Sequence, residues 1–148
     1  MSGRRLRILI VEDEILIALE LETLLHETGH EVVGIAASSQ EAAALGQQLR
    51  PDLAFVDIHL TDGPTGVDVA RRLSDQGIAV LFMTANAKRI PEDRAGAKGV
   101  ISKPYTERGV RQALAYVLAE DCARTGEGQG RTFVPFDGCR EGMAASRR

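Results

Sequence analysis

The sequence is poor in cysteine, holding only Cys122 and Cys139, and both fall in its last third. Their spacing matches no zinc or redox motif, so a disulfide framework and a thiolate metal site are excluded. Two unpaired thiols suit a reducing compartment. No apolar run is long enough to cross a bilayer. The opening MSGRRLRILIVEDE has a basic start and a short apolar run, but Glu12, Asp13 and Glu14 interrupt it before it can serve as a secretory signal. A cytoplasmic protein without a membrane partner is expected. The net charge of −3 gives no electrostatic case for nucleic acid. The turn after the first apolar run also lacks Gly-x-Gly-x-x-Gly, and its three acids would repel a pyrophosphate, which excludes a dinucleotide site.

What is present is an ordinary soluble composition, 44% apolar and 26% charged over 148 residues. That length suits one domain plus a short extension. Short apolar runs alternate with amphipathic stretches. Leu6–Val11, Val32–Ala36, Leu53–Val56, Ile78–Met83 and Val100–Ser102 read as strands. Helices are expected over Glu14–Thr28, from Ser38 to Arg50, from Thr65 to Gln76 and from Thr106 to Glu120. Ser38 and Glu41 form a capping box, Thr65 is a candidate cap with Asp68 at the capping-box position, and Gly29 and Gly77 are stops. The stretch from Asn86 to Ala97 is only weakly helical and holds Pro91. Strands alternating with helices predict a parallel sheet. The fold class is therefore α/β: a doubly wound, five-stranded parallel sheet in the flavodoxin-like order 2-1-3-4-5, with helices on both faces. Residues 1–120 form the domain. Residues 121–148, punctuated by glycine and without periodicity, are expected to be a flexible tail that adds nothing to the fold.

In such a sheet ligands bind outside the carboxyl ends of the strands. Those ends carry Glu12 and Asp13, Asp57, Thr84 and Lys103. Taken singly, each has a bland explanation: helix-dipole acids, a cap, a solvated lysine. Their coincidence on one rim is harder to dismiss. Two unit charges about 4 Å apart repel by roughly 4 kcal/mol at an effective dielectric of 20. Clustered carboxylates must therefore be protonated or share a cation. A few oxygen ligands with room for water and phosphate suit Mg²⁺. A carboxylate can itself attack phosphorus and become an acyl phosphate.

The segments ILIVEDE, LAFVDIHL, FMTA and ISKPY, in this order over residues 6–120, resemble the receiver domain of bacterial two-component response regulators. The resemblance implies that Asp57 is the phosphoacceptor. It implies that Asp13, Asp57 and the backbone carbonyl of His59 ligate Mg²⁺, with Glu12 assisting through a water. Thr84 and Lys103 would hold the phosphoryl oxygens, and Lys103–Pro104 would be cis. His59 and Asn86 would tune self-dephosphorylation. The phosphoryl donor would be a phosphohistidine on a sensor kinase or phosphotransfer protein. No catalysis beyond self-phosphorylation and self-dephosphorylation is expected.

A phosphohydrolase of the haloacid-dehalogenase type is the alternative, with Asp57 as nucleophile, but it needs a second acid where His59 stands. Nothing in the tail resembles a DNA-binding unit, so output is expected through a protein partner, or the domain serves as a phosphate carrier or sink. The chain departs from the family pattern at Val100, where many receivers carry a switch aromatic; Tyr105 is the nearest ring. It resembles an atypical, single-domain subgroup without the usual coupling to that aromatic; the short, Pro91-containing segment can order at low cost, so Asn86–Gly99 is expected to change its order on phosphorylation. Ile15, Leu16 and Leu19 lie off the core face of the first helix and are candidates for docking the kinase's helices.

Overall fold

The computed structural model describes residues 5–85, 88, 90–119 and 133–136. Five parallel strands alternate with helices as expected: β1 (Arg7–Val11), α1 (Ile15–Glu27), β2 (Glu31–Ala36), α2 (Ser39–Leu49), β3 (Leu53–Asp57), α3 (Gly66–Asp75), β4 (Ala79–Thr84), β5 (Gly99–Ser102) and α4 (Glu107–Ala119). The strands run in the order β2-β1-β3-β4-β5. β3 is central and buried at all five positions, which is why it reads as an unbroken apolar run. Ile8, Ile10, Phe55, Leu81 and Met83 face α1 and α4 on one side of the sheet. Leu9, Val11, Val56, Val80 and Phe82 face the side covered by α2 and α3. The period-two alternation of the strands thus fills two cores.

The helix ends follow local chemistry. The α2 amide of Glu41 donates to Ser38 Oγ at 3.2 Å, while Glu41 Oε1 reaches back to the Ala37 amide at 2.7 Å. The box therefore closes one residue early. Thr106 Oγ1 accepts the Gly109 amide at the start of α4. Thr65 does not cap α3 with its side chain: its hydroxyl donates to Asp62 Oδ1 at 2.6 Å instead. Asp62 also accepts from Ser39, so it ties the loop after β3 to the start of α2. Leu21 and Leu25 are buried with Ala18, whereas Ile15, Leu16 and Leu19 are 58%, 74% and 43% exposed. Leu118, near the end of α4, is exposed.

One expectation holds and one is corrected. Between β4 and β5 the weakly helical stretch forms no α-helix among the described residues; Lys88 and Arg94–Gly96 have 3₁₀ geometry. Arg94, Ala95 and Gly96 have φ of 53°, 50° and 80°, so the turn is left-handed. A left-handed conformation costs an L-residue about 1–2 kcal/mol. Here it is held by the Arg71–Asp93 ion pair, by Asp93 Oδ1 accepting the Ala95 amide, and by Ser74 Oγ donating to the Ala95 carbonyl. The correction concerns the tail, part of which joins the sheet. Phe133–Pro135 forms a sixth strand, β6, antiparallel to β5. Phe133 is buried, with its ring centroid 5.6 Å from that of Tyr116. Three apolar residues suffice because β5 offers an open edge with unpaired backbone groups. Periodicity cannot reveal so short a strand.

Two packing features lead to stability tests. Gly66, at the start of α3, lies against the end of β3. A Cβ there would overlap the Asp57 carbonyl oxygen and come within 2.6 Å of Ile58 Cα. Backbone cannot yield as a side chain can. Gly66→Ala should therefore cost about 1–3 kcal/mol in urea unfolding.

His30 is buried before β2, and its Nδ1 accepts the Leu6 amide at 3.0 Å. Burial, reinforced by Arg5, lowers its pKa below the usual 6.5. The unfolded chain then takes up a proton that the folded one resists. The stability this group contributes is complete above pH 6.5 and declines as pH falls from there toward the folded-state value. Wild type should lose more melting temperature than His30→Gln between about pH 7.5 and about pH 5. Taking the difference between the two proteins cancels the other titrating groups.

Candidate functional site

The carboxyl ends of β1, β3, β4 and β5 do bring the predicted residues together. Glu12 directly follows β1, and its amide donates to the Ala36 carbonyl of β2, which fixes the turn. Asp57 is the last residue of β3, and Thr84 is the last of β4. Lys103 follows β5, and its amide donates to the Thr84 carbonyl at 3.0 Å, so the two residues are joined through the backbone. Glu12, Asp57 and Thr84 are buried, while Asp13 is not.

Lys103 Nζ lies between two carboxylates, 2.8 Å from Glu12 Oε1 and 3.1 Å from Asp57 Oδ2. Glu12 Oε2 accepts the Glu14 amide, and Asp57 Oδ1 accepts the His59 amide at 3.4 Å. Burial pushes the Glu12 carboxyl up to about 7, and the Asp57 charge adds to this, against the opposing pull of Lys103 and the Glu14 amide. Burial also works against the Lys103 ammonium. The hydrogen bond to Glu12 and the charges of Asp57 and Glu12 more than offset it, so the lysine stays firmly protonated. The rim thus holds an excess of negative charge around one fixed cation.

Carboxylate oxygens of Glu12, Asp13 and Asp57 all lie within 4.8 Å of one another. This all-oxygen donor set, open on the Asp13 side, fits a hard divalent cation such as Mg²⁺ that retains waters. It does not fit a softer metal, since neither sulfur nor imidazole is among the ligands.

The remaining predicted residues fall as follows. The His59 side chain is exposed on the rim, and Asn86 lies outside the described residues. Val100 is buried on β5, paired with Phe82 and Val134, and offers no ring to move. The Lys103–Pro104 peptide is cis. Ile15, Leu16 and Leu19 form an apolar strip on α1 below Glu12 and Asp13 in the chain.

Sequence reasoning missed three contributors. The resemblance gave Glu12 a role at the metal through a water; its direct bond to Lys103 was not foreseen. Gly66 gives the Asp57 carbonyl its room. The signal was a glycine opening a helix, easily taken for loop. Tyr105 is more than a neighbour of the lysine: its hydroxyl donates to the Ile17 carbonyl at 3.3 Å and ties the Lys103–Pro104 turn to α1. Burial raises its pKa to about 12, so the phenol keeps the proton it donates.

The wider comparison agrees with this geometry. Residues 8–115 match the response regulator receiver domain. The phyllosphere-induced regulator PhyR of Methylorubrum extorquens is 36% identical over 114 residues, which cover 75% of this chain and 43% of that protein. The solution structure of the PhyR receiver domain of Erythrobacter litoralis is 30% identical with a TM-score of 0.71, covering 86% of this chain and 97% of that one. PhyR from Bartonella quintana, described as an anti-anti-sigma factor, is 31% identical with a TM-score of 0.70, covering 80% of this chain and 49% of that one. The chain spans about half the length of the full-length PhyR proteins it matches. With strand order, acidic rim, lysine and family match in agreement, this chain belongs to the response regulator receiver family.

Proposed function

We propose that this chain is a switch in a two-component phosphorelay, with Asp57 as the phosphoacceptor. Receiver membership supports phosphorylation-dependent signalling. The observation that carries the residue assignment is Lys103 Nζ held between Glu12 and Asp57, within the cluster that Asp13 completes. Only Asp57 of these three acids ends the central strand, where it pairs with Met83 of β4.

In the proposed reaction an Asp57 carboxylate oxygen attacks phosphorus. The P–N bond of a phosphohistidine breaks, and the imidazole leaves with the bonding pair. Such a transfer depends mainly on positioning and charge neutralisation. Mg²⁺, when bound by Asp13, Asp57 and the His59 carbonyl with Glu12 assisting, would neutralise charge on the transferred group. Lys103 would pass from Glu12 and Asp57 to a phosphoryl oxygen, and the Thr84 hydroxyl would donate to another. His59 and Asn86 would set how readily water reaches the acyl phosphate. The reaction is a self-modification, so the chain is proposed to be a switch and not an enzyme acting on other molecules.

The donor would be a sensor histidine kinase or a histidine phosphotransfer protein, docking its helices on Ile15, Leu16 and Leu19. Their exposure on one helix is the support for that surface. Output would be through a protein target and not nucleic acid, as the anti-anti-sigma description of a relative suggests. No helix among the described residues is long and apolar enough to cross a membrane, which is compatible with a cytoplasmic location. The phosphohydrolase alternative gains nothing here, because the position of its second acid is taken by the exposed His59.

Incubation with acetyl phosphate and Mg²⁺ should add one phosphoryl mass to Asp57, and Asp57→Ala should abolish the gain. An acid-labile phosphoryl group acquired by Asp57→Ala at the wild-type rate would refute the assignment. Asp13→Ala should weaken Mg²⁺ binding on the order of tenfold or more by titration calorimetry. Unchanged affinity would place the metal elsewhere.

A further inference from the structure

The β6 strand is more than an edge strand added by chance. It sits where β5 has been shaped to receive it. Gly99 pairs with Pro135, and a Cβ on Gly99 would come 2.6 Å from the Phe133 ring and 2.7 Å from the Val134 carbonyl oxygen. The absent side chain is what lets the two backbones meet. Phe133 drops into the core beneath α4, with Ile101, Val110, Ala113 and Leu114. Phe136 turns to the opposite side of the sheet, against the cluster that holds Ala95, Ala97 and Val100. The tail thus grips both faces of the sheet edge.

Its second grip falls on the connection between β4 and β5. The Phe136 amide donates to the Lys98 carbonyl at 2.7 Å, and the Arg94 guanidinium lies 4.8 Å above the Phe136 ring. The connection has no α-helix among its described residues to hold it, and its Arg94–Gly96 turn is left-handed. The connection leaves from Thr84 and returns through β5 to Lys103, and these two residues are also joined by a backbone hydrogen bond.

We propose that Phe133–Phe136 is a cis-acting strap whose docking opposes phosphorylation: it clamps the β4–β5 connection in the arrangement that keeps Thr84 and Lys103 in their resting places. This rests on the reading of Asp57 as phosphoacceptor. A phosphoryl group on Asp57 draws Thr84 and Lys103 toward its oxygens, and the connection must follow Thr84. The Phe136 contacts with Arg94 and Lys98 are made to the resting connection, so that movement weakens them. Linkage makes the effect reciprocal. Whatever loosens the strap favours the phosphorylated arrangement, and phosphorylation loosens the strap.

The test is amide exchange on the full chain in Mg²⁺, with and without beryllofluoride as the phosphoryl mimic. Beryllofluoride should slow exchange beside Asp57 and Thr84 and speed exchange of the Phe136 amide and the β5–β6 ladder by about fivefold or more. The Phe133→Ala, Phe136→Ala double variant should bind beryllofluoride tighter by a similar factor. Phe136→Ala alone, at a half-buried position, replaces it should the double variant lose protection in β1 and β3. Unchanged or slower strap exchange while Asp57 and Thr84 respond would overturn the linkage alone, as would equal beryllofluoride affinity in variant and wild type. Absence of any response at Asp57 and Thr84 would overturn the phosphoacceptor reading, and the linkage with it.

Discussion

The Lys103 ammonium between Glu12 and Asp57 is the contact on which the rest of the site depends. Two buried carboxylates at the ends of adjacent strands β1 and β3 could not both remain charged without it. The lysine reaches them from β5, two strands away from Asp57, so the pair fixes the spacing of the whole rim. Its backbone is bonded to Thr84 of β4. Four strand ends are thereby held as one unit, by one side chain and one backbone hydrogen bond.

The fold was legible because each strand announces itself twice, by an apolar run and by a polar residue at its carboxyl end. Ile10-Val11-Glu12-Asp13 and Phe55-Val56-Asp57 show both signals. Period and punctuation then order the parallel sheet. The rim was legible for the same reason: topology brings strand ends together, so residues far apart in the chain can be placed beside each other without coordinates. Which acid the lysine prefers was not legible. Glu12 and Asp57 both lie within reach, and only side-chain geometry shows that both are bonded.

What stayed hidden is of one kind. Thr65 carries the composition of a cap, yet its hydroxyl found a stronger acceptor in the Asp62 carboxylate. Phe133–Pro135 is too short to show a period, and its pairing is decided by the bare backbone of Gly99 on another strand. Gly66 matters through a carbonyl nine residues earlier. In each case a tertiary neighbour overrode a local preference, and single-sequence patterns carry no record of such neighbours.

Among the described residues, the order β2-β1-β3-β4-β5-β6 leaves the sheet with β2 and β6 as its two outer strands. An outer strand with unpaired amides is a template for uncontrolled self-association. β6 is three residues long and ends in Pro135, which has no amide to offer a further strand. β5 carries Val100 and Ile101 and has no such guard of its own. While the tail is docked, the molecule presents a blunt margin on that side. On the proposed linkage, undocking would exchange it for a sticky one, and the solubility of the chain would then follow its signalling state.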